Sequence, residues 1–413
     1  MNRKELEIMA PVGSYESLYA AINSGADSVY FGVEGLNMRS GSAANFTLDD
    51  LKKIAGICND AGVKSYLTVN TIIYDNDMVR CHDILDAASI SGISAVIASD
   101  PAAFFYAREI GMPVHASTQL NISNVDSVRF YSTCCDVMVL ARELNLEQVR
   151  RIYDAIQHDP IMGPTRRPVR IEMFCHGALC MAVSGKCYMS LHEANSSANR
   201  GACRQICRRG YRVTDIETGA ELEIDNKYIM SPKDLKTIHF LDRMVDAGVT
   251  VFKIEGRARG PEYVKTVVEC YSEALSAICD GTYTPERIAE WEERLAKVFN
   301  RGFWDGYYLG QRLGEWSSKY GSSATRVKRY VAKGVRYYSN LGVGEFYAEA
   351  GGIKVGDEIV ITGPTTGAII VTVEELHNQQ GESVEEVAKG SAFSIAVPSK
   401  IRPSDRLYVW DKK

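Results

Sequence analysis

The sequence predicts an α/β protein: a (β/α)8 TIM-barrel-like domain with a Cys-rich insertion, followed by a small C-terminal antiparallel β-barrel. Three observations predict it. A helix–glycine–strand unit recurs along the first two thirds of the chain, and about eight short β-branched runs can be counted there. From about residue 326 the pattern changes to short strands separated by Gly-rich turns. Glycine suits the place after a helix because that residue often needs positive φ. Helices alternating with strands imply parallel strands joined by helical crossovers. An open doubly wound sheet shares this alternation, but no Gly-x-Gly-x-x-Gly follows the first strand, which weakens a dinucleotide-binding reading.

Strands are expected near 6–10, 28–33, 64–70, 95–99, 114–118, 137–141, 170–175 and 250–255. Gly25, Gly62, Gly92, Gly111 and Gly248 each close a helical stretch ahead of a strand. Between the seventh and eighth strands lies a long insertion, about 177–249, rich in Gly, Ser, Asn and Arg. Helices around 261–280 and 285–299 complete a first domain over 1–300. The Gly/Tyr/Trp-rich stretch 301–325 is expected to be a linker, and 326–413 the C-terminal β-barrel.

Composition narrows the class. With 413 residues, 46% hydrophobic and 24% charged, the chain is globular, not disordered. No apolar run reaches about 18 residues, so no membrane helix is expected. A net charge of -5 argues against an obligate DNA-coating protein and leaves room for a local basic patch for RNA. Eleven cysteines without a signal-peptide core suggest reduced thiols or metal ligands in a cytoplasmic protein.

Four of those cysteines cluster in the insertion. Cys180, Cys187, Cys203 and Cys207 read Cys-x6-Cys-x15-Cys-x3-Cys. Four thiolates suit a structural zinc or an iron–sulfur cluster, and only the second pair has the tight zinc-type spacing, so the pattern leans toward iron–sulfur. Ordinary buried thiols are the bland alternative.

Polar residues gather where the strands should end. Alternation places His115, Ser117 and Gln119 on one face, with Asn121 following. It likewise pairs Glu172 with His176, and puts Lys253, Glu255 and Arg257 in phase. Arg142 follows the sixth strand. A charge pointing into a barrel needs a partner or a ligand, and a plain Lys253–Glu172 salt bridge is the structural alternative. Basic residues cluster at Arg204, Arg208 and Arg209 and again at Arg326, Lys328 and Arg329, with tyrosines nearby. That suits a groove for single-stranded RNA, although charge runs are usually solvated faces. No His-Glu-x-x-His, Gly-x-Ser-x-Gly or complete P-loop is present.

The stretch Glu172-Met173-Phe174-Cys175-His176-Gly177-Ala178-Leu179-Cys180 with Ser184-Gly185-Lys186-Cys187-Tyr188 closely resembles the signature of the collagenase-like peptidase family U32. Met9-Ala10-Pro11-Val12-Gly13 and Lys253-Ile254-Glu255-Gly256-Arg257 support the likeness, which runs from about 5 to 280, and the tail resembles that family's C-terminal β-barrel. Despite the family's peptidase label, several members look like iron–sulfur proteins of oxygen-independent hydroxylation. One branch converts the wobble uridine of tRNA to 5-hydroxyuridine with prephenate as the implied hydroxyl donor. Others act on a cytidine of ribosomal RNA or on a ubiquinone precursor.

Gly201-Ala202-Cys203-Arg204-Gln205-Ile206-Cys207-Arg208 is similar to the tRNA branch. No cysteine occurs at 223–227, where one ubiquinone-branch subunit has its fourth ligand. Ser231-Pro232-Lys233-Asp234 departs from the family's Asn-Ser-Lys-Asp. The resemblance implies a 4Fe-4S cluster on Cys180, Cys187, Cys203 and Cys207. Glu172, His176, Lys253 and Glu255, the polar strand-end residues, are the candidates for proton transfer and donor orientation. Gln119, Asn121, Arg142 and Arg257 would bind a small carboxylate donor, and the basic clusters a tRNA. An electron donor is a further expected partner.

Overall fold

A computed structural model describes residues 2–41, 45–219, 221–222, 230–311 and 313–413. The stretch 223–229, including the place where a related branch carries a cysteine, lies outside the described residues.

Eight parallel strands form a closed barrel. They are β1 (Glu7–Pro11), β2 (Ser28–Phe31), β3 (Lys64–Val69), β4 (Ala95–Ala98), β5 (Val114–Ala116), β6 (Val137–Val139), β7 (Arg170–Gly177) and β8 (Val249–Ile254). Neighbours pair in chain order, and β8 closes the ring by pairing with both β7 and β1. Each expected strand is present within a few residues. Helices α1 (Tyr15–Asn23), α2 (Asp50–Asp60), α3 (Met78–Ser91), α4 (Pro101–Glu109), α5 (Val125–Ser132), α6 (Leu146–His158) and α7 (Leu241–Asp246) alternate with them. Then α8 (Pro261–Cys279) and α9 (Pro285–Lys297) follow β8.

Local chemistry sets these boundaries. Ser14, Asp100 and Asn124 cap α1, α4 and α5 with side-chain acceptors, and Asn145 with Gln148 makes a capping box on α6. Gly92 ends α3 at φ 79, a conformation that glycine adopts without a Cβ penalty. The outward faces of the strands bury Ile8, Val29, Leu67 and Val96 against the helices. Inside, Met9, Tyr30, Tyr66, Ile97 and Val251 fill the barrel, so it is a packed core and no pore. Below them Glu7 is buried with Tyr66, Lys64 and Arg170 as partners.

The C-terminal part is antiparallel. Strands β9 (Arg326–Tyr338), β10 (Val343–Ala348), β11 (Glu358–Gly363), β12 (Gly367–Thr372), β13 (Leu376–Asn378), β14 (Ala392–Ala396) and β15 (Arg406–Lys412) form a sheet in the order β12-β11-β15-β9-β10-β14-β13. They share a second core around Phe346, Ile359, Phe393 and Leu407. Lys328–Glu262 at 2.8 Å and Lys297–Glu358 at 3.1 Å tie this sheet to α8 and α9.

Residues 301–325, expected as a linker, also build structure. Phe303–Trp304 pairs with the strand Asp234–Lys236, which in turn pairs with the end of β7. The Tyr308 hydroxyl donates to Phe174 O at 2.9 Å. No helix among the described residues is long and apolar enough to cross a membrane.

Candidate active site

In a parallel barrel the carboxyl ends of the strands and the loops after them make the functional face. A cavity of about 1590 Å³, mouth included, lies there, roofed by the insertion.

Strand β8 supplies its floor. Val251 faces the barrel interior, and Lys253, Glu255 and Arg257 follow in phase to line the cavity, as the alternation implied. Lys253 Nζ is 2.7 Å from Glu172 Oε1 and 4.6 Å above the Tyr30 ring. Glu172 is fully buried; burial pushes its carboxyl up, and Lys253 pulls the other way. Its second oxygen lies 3.8 Å from His115 Nδ1, and neither atom has a hydrogen-bond partner. His115 shares the face with Ser117 and Gln119 as expected. Burial lowers its pKa to about 3, so the ring is neutral at physiological pH.

Among the described residues, Glu255 is the one carboxylate lining the cavity. Arg39 Nη2 donates to it at 2.5 Å, and the Tyr30 hydroxyl at 3.3 Å. Burial alone would raise Glu255, but Arg39, then Arg142 and Arg257, hold it down to about 2. Around it the lining carries seven cations: Arg39, Arg142, Arg208, Lys253, Arg257, Arg259 and Arg301. Arg257 donates to Thr68 Oγ1 at 2.9 Å. Arg142 stacks 3.7 Å over Phe174 and donates to Ala178 O at 3.2 Å. Asn70, Ser117 and Gln119 are hydrogen-bonded to one another on the opposite wall. Guanidinium forks of this kind have the geometry that suits carboxylates.

The roof brings Cys180, Cys187, Cys203 and Cys207 into the same lining, all as free thiols. They are close enough that Cys207 feels the other three, although burial is the main cause of its raised pKa. Among the described residues no three His, Cys, Asp or Glu side chains converge to hold one metal ion. Four thiols spread round one cavity fit a cluster, which takes one thiolate per iron, better than a zinc needing four sulfurs at about 2.3 Å from a point.

The insertion is pinned in place from both sides. Gly41 N donates to Gly201 O at 3.1 Å, joining the Arg39 loop to the Cys203 loop. Gly201 has φ +81, and a Cβ there would lie 2.2 Å from Asn37 O, so only glycine fits this approach. Arg208 donates to Ser231 Oγ at 2.9 Å, Pro232 O at 2.6 Å and Leu179 O at 2.5 Å.

Several expected residues lie elsewhere. Glu172 and His176 do not share a face, because β7 bulges against β8 between Phe174 and His176. His176 therefore packs outside the barrel, with Nδ1 3.4 Å from the Tyr271 hydroxyl and the Phe303 ring 5.6 Å away. Asn121 does not line the cavity; it sits in a left-handed turn with its amide atoms unpartnered. Arg326, Lys328 and Arg329 pair with Glu358, Glu262 and Asp411, each at 2.8 Å. Arg208 is spent on the insertion, and Arg209 pairs with Glu193. Exposed Arg204 and Arg209 with Lys319 do line a shallow bowl beside Cys203. Tyr30, Arg39 and Asn70 were missed; the rule that the strands' carboxyl ends and the loops after them meet at one mouth is the signal that points to them.

A family model described as Peptidase family U32 matches residues 13–318. The chain belongs to that family. Among U32 relatives, a collagenase of Porphyromonas gingivalis is 67% identical over 413 residues, covering 100% of both chains. The tRNA hydroxylation protein P1 of Bacillus subtilis is 31% identical, over 98% of this chain and 94% of its own. The 23S rRNA 5-hydroxycytidine C2501 synthase of Escherichia coli is 34% identical, over 73% of this chain and 45% of its own. A solved U32 peptidase structure aligns over 61% of this chain and 93% of its own at 13% identity and a TM-score of 0.39.

Proposed function

We propose that this U32 protein is an iron–sulfur-dependent, oxygen-independent hydroxylase of tRNA uridine, taking its hydroxyl group from a small carboxylate such as prephenate. One observation carries the reading: four free thiols and seven cations line a single cavity at the catalytic face of the barrel. Relatives at about 30% identity named for tRNA and rRNA hydroxylation support it.

Cys180, Cys187, Cys203 and Cys207 hold the cluster, which when bound supplies one-electron redox chemistry. Arg142 and Arg257 clamp the donor's carboxylates. Gln119, fixed by Asn70 and Ser117, orients its polar end. Lys253, held by Glu172, presents its Nζ as a hydrogen-bond donor at the cavity floor. Arg39 holds Glu255 ionised. Arg204, Arg209 and Lys319 on the rim meet RNA phosphates, which position the strand without reading its sequence. The base must leave its stack to enter.

Peptide hydrolysis is the second reading, favoured by the collagenase name of the relative at 67% identity. Deleting the gene, followed by mass spectrometry of nucleosides from tRNA and rRNA, separates the two. The hydroxylase reading expects 5-hydroxyuridine to vanish from tRNA, and to return with the wild-type gene but not with Cys203→Ala. Unchanged nucleosides, with peptide hydrolysis that survives Cys203→Ala, favour the peptidase. Loss confined to rRNA moves the substrate to ribosomal cytidine.

A further inference from the structure

A second cleft opens beside Cys180. It shares Arg142, Leu179, Cys180, Met181 and Ser184 with the main cavity, so the two adjoin. Its other walls are aromatic: Trp304, Tyr307 and Trp316. The Trp304 and Tyr307 rings stand edge to face at 78°, with centroids 5.3 Å apart. Gly314 lies where the three side chains converge. A Cβ built on it would be 3.5 Å from the Tyr307 hydroxyl and 3.7 Å from both tryptophans.

Among the described residues, two buried donors on side chains that line this cleft have no acceptor. Trp304 is 5% exposed, and its indole N–H is unpartnered. Arg142 Nε–H, at the junction of the two cavities, is unpartnered too. A buried donor without an acceptor costs about 1–3 kcal/mol. Glu143, an exposed carboxylate, lines the same cleft and can accept a hydrogen bond. Flat aromatic walls and one carboxylate acceptor suit a planar ring bearing an N–H.

We propose that this cleft is the base subsite, taking an extruded uracil ring while the basic cavity holds the carboxylate donor. Uracil offers two carbonyl oxygens and an N3–H. Cytosine sets a lone pair at N3 against the Glu143 carboxylate and can donate to it only through its N4 amino group. Aromatic stacking is worth about 1–3 kcal/mol per base. The proposal rests on the RNA-hydroxylase reading for its substrate class.

The test uses the full chain, purified anaerobically, and tryptophan fluorescence, since two of the four tryptophans line the cleft. The probes are penta-uridylate and penta-cytidylate. Penta-uridylate should quench the wild type and Cys203→Ala alike. Gly314→Leu, which fills the cleft, should bind it at least tenfold more weakly, and Glu143→Gln should narrow the preference over penta-cytidylate. Equal binding by wild type and Gly314→Leu, or no binding by the wild type, overturns the subsite. Should Gly314→Leu fail to fold, Glu143→Gln still decides, because an unchanged preference overturns the assignment. Failure of the wider reading looks different: tRNA nucleosides unchanged on gene deletion while the binding pattern holds. Conversely, full tRNA hydroxylation by folded Gly314→Leu overturns the subsite alone.

Discussion

Arg39 Nη2 and Glu255 Oε1 meet at 2.5 Å, joining the loop after β2 to the end of β8 beneath the cysteine roof. Glu255 thereby stays a carboxylate inside a cavity that would otherwise protonate it. Arg39→Ala should cost about 2 kcal/mol at neutral pH, the scale of a charge-assisted hydrogen bond. Glu255 is held at about 2 against an ordinary 4.5, so its stabilisation is present above about pH 4.5 and lost as pH falls toward 2. Urea melts of wild type and Arg39→Ala should converge across that window. A constant gap down to pH 2 would contradict the pairing.

Lys253 and Glu172 combine structure with chemistry. Lys253→Met leaves Glu172 buried without a counter-charge and should cost about 3–5 kcal/mol. Adding Glu172→Leu should recover most of that stability without restoring activity. Recovery of both would reduce the pair to a structural salt bridge.

Acid should weaken the fold before the carboxylates protonate. Burial lowers His115 and His176 to about 3, against an ordinary 6.5. Between those values the unfolded chain binds protons that the folded chain refuses. The stabilisation is therefore full above pH 6.5 and falls with pH, by up to about 1.4 kcal/mol per unit for each histidine. His115→Gln and His176→Gln should each flatten the slope between pH 6 and 4. His176→Gln should spare RNA hydroxylation at neutral pH, since the ring lies outside the cavity.

Gly201→Ala should separate the Arg39 loop from the Cys203 loop. The Cβ would meet Asn37 O at 2.2 Å, and an L-residue at φ +81 adds about 1–2 kcal/mol. Metal content and activity should both fall while far-UV circular dichroism stays native. Unchanged metal content would show that the roof forms without this contact.

The barrel was legible because five of its seven helix-to-strand turns repeat one physical device, a helix stopped by glycine ahead of a strand. The phase of Lys253, Glu255 and Arg257 was legible because the alternation that holds from Val251 continues past the strand's end at Ile254. His176 was not, because the bulge after Phe174 shifts the alternation by one residue, and no periodicity announces a bulge. Arg39 sits on a loop, where pattern says nothing about direction. The C-terminal cations were legible as charge, but their acidic partners Glu262, Glu358 and Asp411 lie far off in sequence.

Metal and sulfide content of the anaerobically purified chain, wild type beside Cys203→Ala, bears most directly on the central claim. About four iron and four sulfide per wild-type chain, with a brown absorbance lost in Cys203→Ala, is the expected result. One zinc, or no metal in either protein, would contradict an iron–sulfur cluster over the barrel mouth.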